Sequence, residues 1–225
     1  MSMKDKGSIL EHLARVLAIL KEESSHWEPP VVGRFAHGPN MPFRVLISTV
    51  LSLRTKDKTT GEASLRLFKL ADTPHGMLSL PASTIEQTIF PVGFYRTKAK
   101  SILRICEILK KEHGGRVPDH LEELLKLPGV GRKTANLVVT VAYKKLGICV
   151  DTHVHRISNR WGIVRTKTPE ETEQALRKIL PKHFWIQFNN LLVAYGQNLC
   201  VPLSPFCSRC RIAPFCPRIG VRASR

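Results

Sequence analysis

The chain is poor in acidic side chains: 18 Asp and Glu stand against 35 Lys and Arg in 225 residues, a formal net charge of +17. From Gln174 to Arg225 there is no Asp or Glu at all. A field of this sign repels cationic partners and attracts polyanions, of which nucleic acid is the commonest a basic protein meets. An anionic membrane surface, or simple tolerance of the charge, is the alternative. No apolar run reaches the roughly 18 residues a membrane span needs. The opening "MSMKDKGSIL" lacks the apolar core of a secretion signal. A soluble, intracellular protein with no membrane partner is therefore expected. A reducing compartment disfavours disulfides, so the six cysteines need another explanation. Strand-like alternation is also scarce, and no repeat or low-complexity segment is seen.

What the chain has in quantity is helical periodicity. Leu13, Leu17 and Leu20 stripe a first helix, Ile102, Ile105, Cys106 and Leu109 follow i, i+3, i+4, i+7, and Phe188, Leu191, Leu192 and Tyr195 repeat the pattern. Ser83 with Glu86 and Thr168 with Glu171 have capping-box spacing, and Pro169 takes the favoured first helical position. The segment "PFRVLISTVLSL", 42–53, is apolar nearly all round and suits the centre of a helical bundle. The Pro- and Gly-rich tract 27–42 reads as a linker, and a second break falls near 147–153. The fold class is all-α.

Four cysteines, Cys200, Cys207, Cys210 and Cys216, form the pattern C-x6-C-x2-C-x5-C. Four thiolates so close together can wrap one centre. A [4Fe-4S] cube takes one thiolate per iron, while a four-thiolate zinc site usually joins two C-x2-C pairs across a longer gap. Spacing alone leaves both open. Arg209, Arg211 and several prolines lie between the cysteines, which argues against unrelated core thiols. Cys106 and Cys149, in apolar surroundings, read as core.

In "LPGVGRKTA", 127–135, Gly129 and Gly131 permit backbone angles and close approach that other residues forbid. The helix after them offers unpaired N–H groups, an end that suits a phosphate. A plain helix-helix turn would carry the same glycines. Arg132 and Lys133 open that helix, where the dipole disfavours cations. Both disfavour a charged ammonium on Lys133, and a neutral amine is a nucleophile that forms Schiff bases. A solvated lysine beside DNA phosphate is the plainer use. Asp151, in "ICVDTHVHR", precedes a helical stretch as an N-cap would. Capping holds a carboxylate still while leaving one oxygen for chemistry.

In this order, "LPGVGRKTAN", "VDTHVHR" and the cysteine spacing resemble the endonuclease III family of helix-hairpin-helix DNA glycosylases, from about Ile9 to Cys216. The resemblance implies two helical domains with a DNA groove between them. Residues 35–146 would be a six-helix bundle with the hairpin, and 1–34 with 147–225 an iron–sulfur domain. It implies a [4Fe-4S] cofactor rather than zinc. It also implies that Lys133 attacks C1′ of a flipped, damaged pyrimidine nucleotide, giving a Schiff base and β-elimination, with Asp151 stabilising positive charge on the sugar. Leu127, Gly129, Gly131 and Arg132 would meet DNA, as would Arg54, Phe94 and Tyr95. Arg54 stands where the family commonly has glutamine, and Phe94 where it commonly has leucine. Asp57, Thr152 and His153 are pocket candidates. The expected partner is double-stranded DNA with damaged bases or abasic sites, bound by a monomer, nucleoid-associated in a prokaryotic cytoplasm. The alternatives are a mismatch-specific uracil/thymine or adenine glycosylase, whose branches generally lack a lysine at position 133, and a non-catalytic iron–sulfur DNA-binding module.

Overall fold

The computed structural model describes residues 3–225, and side chains from His12 onward. Among the described residues there are helices and no strand. The chain forms two compact units: Pro30–Gly147 is one, and Met1–Pro29 with Ile148–Arg225 is the other. Met1 and Ser2, which the sequence reading assigns to the cluster domain, lie outside the described residues.

The discontinuous unit begins with α1 (Met3–Ser24) and resumes with α9 (Thr152–Arg160), α10 (Pro169–Ile179) and α11 (Trp185–Asn198). Leu13, Leu17 and Leu20 bury the striped face of α1 in one core with Val154, Ile157, Leu176, Phe188 and Leu192. Truncating such a leucine costs about 2–5 kcal/mol, so the first helix is integral to this unit. The Thr168 hydroxyl caps α10 by accepting from the Glu171 N–H at 3.1 Å. The Glu171 carboxylate reaches one residue further back than a capping box, to the Lys167 N–H at 2.8 Å.

The continuous unit is arranged around α2 (Met41–Ser52), whose Val45, Leu46, Ile47 and Leu51 are fully buried. Ser48 and Thr49 are buried too, because their hydroxyls donate to the Val45 carbonyl at 3.1 and 2.7 Å. Around it lie α3 (Asp57–Leu70), α4 (Pro74–Leu78), α5 (Ala82–Ile89), α6 (Tyr95–Glu112), α7 (Leu121–Leu124) and α8 (Arg132–Leu137).

Two local expectations fail. Ser83 does not cap α5: the cap position lies two residues earlier, at Pro81, and has no side-chain cap bond. The tract 27–42 is only in part a linker: Val31–Phe35 is a 3-10 turn that buries Val31, Val32 and Phe35. Gly61 on α3 makes room for that turn, since a Cβ there would lie 2.9 Å from the Val31 side chain. The low periodicity of the tract hid this burial, because a single 3-10 turn is too short to show a repeat.

Candidate active site

The hairpin lies within the continuous unit. Gly129 takes φ +75°, a left-handed conformation that favours glycine. Gly131 does not: its φ is −92°, and nothing lies within 4 Å of where a Cβ would sit. Its smallness is therefore not demanded by the protein's own packing, and it leaves open approach to the start of α8. Gly131 is the N-cap, which places Arg132 and Lys133 in the first turn, both half-buried. Leu127, expected to meet DNA, lies inside the turn. Its side chain is buried, its N–H donates to Leu124 at 3.2 Å and its carbonyl accepts from Val130 at 3.1 Å. It builds the turn, with its side chain inside the protein.

Beyond Leu137 the helix widens into a π turn over Val138–Ala142. Four of these five residues are β-branched, which crowds a regular helix. The Thr140 hydroxyl also takes the Asn136 carbonyl at 2.8 Å, competing with the backbone ladder.

Arg54 and Phe94 come together in the same unit, both at positive φ, 53° and 57°. The Arg54 guanidinium carbon lies 5.5 Å from the Phe94 ring centroid. Phe94 is 62% exposed. Tyr95 packs edge-on against Phe90, ring centroids 5.4 Å apart, with the Arg96 guanidinium over its ring at 4.9 Å. Asp57 accepts from the Val31 N–H at 3.3 Å, so this carboxylate ties the 3-10 turn to α3.

Asp151 is in the other unit, where it caps α9. Its Oδ1 accepts from the His153 and Val154 N–H groups, both at 2.9 Å, so the cap does not use Oδ2. Thr152 is exposed and His153 half-buried. The His153 ring fits only because Gly196 on α11 has no side chain: a Cβ there would lie 2.4 Å from His153 Nδ1. The same helix reaches the first cysteine. Arg156 donates to the Cys200 carbonyl at 2.8 Å, and Arg160 donates to Cys200 Sγ at 3.2 Å, the Val201 carbonyl at 2.8 Å and the Pro202 carbonyl at 2.6 Å.

Cys200 is buried just past α11, and Cys207, Cys210 and Cys216 are partly buried on short turns. Burial pushes the Cys210 and Cys216 thiols up, and the neighbouring cysteines push the same way: Cys216 feels Cys200, Cys210 and Cys207, and Cys210 feels Cys200 and Cys207. The four sulfurs are thus near neighbours in a sheltered place. Among the described residues no three of His, Cys, Asp and Glu are grouped as single-ion ligands. Tyr195 adds a contact with its hydroxyl 2.7 Å from Cys210 Sγ. Four soft thiols, crowded and flanked by a guanidinium and a phenol that can donate to thiolate, are a donor set that fits an iron–sulfur centre. Cys106 and Cys149 are buried, as expected of core residues.

Several of these residues escaped sequence reading. Arg156, Arg160 and Tyr195 are ordinary in sequence and gain meaning only from contacts some 15 to 44 residues away. Lys98 left a faint signal, a lysine on the otherwise apolar stripe of α6 with Ala99, Ile102, Ile105 and Cys106.

An all-helical chain with a glycine hairpin ahead of a basic helix start falls in the class of helix-hairpin-helix proteins. Residues 47–182 match the model of the HhH-GPD superfamily base excision DNA repair proteins. Endonuclease III of Thermotoga maritima is 51% identical over 83% of this chain and 88% of its own length. Endonuclease III of Escherichia coli is 35% identical over 94% and 96%. A trapped endonuclease III–DNA covalent intermediate, the estranged-adenine complex, superposes with a TM-score of 0.82 at 36% identity, covering 92% of this chain and 95% of that one. The chain belongs to the endonuclease III family, and it is a base-excision-repair DNA glycosylase with AP lyase activity. A thermostable thymine-DNA glycosylase, at 22% identity and TM-score 0.79, shares the fold. No described helix is long and apolar enough to cross a membrane.

Proposed function

We propose that this glycosylase removes oxidised or ring-damaged pyrimidines from double-stranded DNA, acting as a monomer, with Lys133 as the nucleophile. The observation that carries the reading is Lys133 in the first turn of α8, behind an open glycine N-cap. A flipped nucleotide presents C1′ outside the stack. The lysine amine bonds to C1′ as the C1′–N bond to the base breaks and the base leaves with the electron pair. One amine proton passes to the departing base, and opening of the C1′–O4′ bond, with O4′ taking a proton from solvent, leaves the protonated Schiff base. Loss of a C2′ proton then expels the 3′ phosphate. Asp151 stabilises positive charge on the sugar through the oxygen its cap leaves unused. The first N–H groups of α8 hold backbone phosphate, and Arg54 and Phe94 fill the place of the flipped nucleotide. Cys200, Cys207, Cys210 and Cys216 hold a [4Fe-4S] cluster whose role is to brace the segment after α11.

The test is borohydride trapping on a thymine glycol duplex, with wild type and Lys133→Gln. A covalent adduct from wild type alone is expected. Retained strand cleavage in Lys133→Gln overturns the nucleophile. A wild type that traps only mismatched uracil or thymine duplexes overturns the substrate.

A further inference from the structure

We propose that Lys98 is a positioning residue that locks the Arg54 and Phe94 loops into one DNA-contacting wedge, an inference that rests on the reading of those loops given above. The last carbonyls of a helix lack partners within it, and its C-terminal end favours a cation. At the end of α2 the cation comes from a distant helix. Lys98 Nζ donates to the Leu51 carbonyl at 2.8 Å and the Leu53 carbonyl at 2.5 Å, and its third neighbour is Thr55 Oγ1 at 3.3 Å. An ammonium has three N–H donors, and here three oxygens meet them on both sides of Arg54.

The same lysine is tied to Phe94. Its backbone N–H donates to the Phe94 carbonyl at 3.0 Å in the first turn of α6. Thr55 Oγ1 closes the circuit by accepting from the Gly93 N–H at 3.1 Å. Gly93 must be small, because a Cβ would lie 2.7 Å from the Arg54 carbonyl oxygen. The two exposed side chains therefore sit on loops pressed backbone to backbone, each with a left-handed residue at its tip. Such conformations cost of order 1–3 kcal/mol and persist only where the surroundings over-determine them. A buried lysine is itself costly: burial pulls the Lys98 ammonium down to about 8. An apolar side chain on this stripe would avoid that cost and could cover the core. What it could not do is satisfy three oxygens around Arg54 and fix the loop's direction.

The experiment compares wild type, Lys98→Met and Lys98→Arg in steady-state cleavage and in the fluorescence of 2-aminopurine placed opposite a reduced abasic site, which reports intrusion into the stack. Lys98→Met is expected to raise KM about tenfold, the scale of one lost stacking contact, with kcat within about twofold and a weakened 2-aminopurine response. Lys98→Arg, which keeps a charged donor, should recover most of both. A folded Lys98→Met with wild-type KM and fluorescence, or with kcat and KM changed in equal proportion, overturns the proposal. If Lys98→Met does not fold, Thr55→Val decides. It removes the hydroxyl shared with Gly93 and should raise KM about fivefold; an unchanged KM overturns the proposal. Failure of the nucleophile reading appears separately, as a wild type that forms no trapped adduct. Failure of the wedge reading appears as a wild-type fluorescence response untouched by Phe94→Ala.

Discussion

Asp151 caps α9, and the proposed function gives the same side chain a chemical duty as well. Both cap bonds go to Oδ1, and asparagine caps a helix about as well as aspartate. Asp151→Asn should therefore leave the thermal midpoint nearly unchanged, within about 0.5 kcal/mol, while the rate of base excision falls about 10²-fold or more. Thermal melting beside single-turnover excision checks this; a rate that survives assigns the residue to capping alone. The placement of Asp151 as a cap and of Lys133 in a first helical turn was legible in the sequence because each follows a local signal, a cap before a helix and a glycine turn. Leu127 belongs to the same hairpin motif, but its burial inside the turn depends on neighbours the motif does not name. Lys98 was all but invisible, since its three oxygens come from residues 43 to 47 positions earlier.

At the scale of elements, α9 is the connecting part of its unit: it begins at Asp151, and its Arg156 and Arg160 reach the main chain of residues 200–202. It holds that course only because α11 lets the His153 ring pass at Gly196. A methyl group there would meet the imidazole well inside contact distance, so Gly196→Ala should cost about 1–3 kcal/mol, the usual penalty of overpacking. A denaturant melt reads that loss, and an unchanged midpoint would show that the ring can simply turn aside. The helices themselves were legible where an apolar stripe ran for two turns or more, as in α1, α6 and α11. They were misjudged where a start depended on backbone geometry: Ser83 had the right spacing for a cap, yet Pro81, with its preset φ, begins α5 two residues sooner.

Across the whole molecule the excess of positive charge sets how DNA is bound. With a net charge of +17, binding should be dominated by phosphate contacts and counterion release. The logarithm of affinity should then fall with the logarithm of salt at a slope of about −4 or steeper. Fluorescence anisotropy over a salt series measures it, and a flat response would refute a phosphate-dominated interface. Charge, helix class, the hairpin and the cysteine spacing were all settled by the sequence alone, because each is a property of composition or of residues within about one turn or loop of one another. Tertiary structure alone decided the rest. It joined the first helix to the last third of the chain in one core, buried Leu127 in the hairpin, set a lysine of α6 at the end of α2, and brought Arg54 beside Phe94. These are contacts between residues far apart in sequence, and only packing, which satisfies each buried polar group where the fold happens to place its partner, selects them.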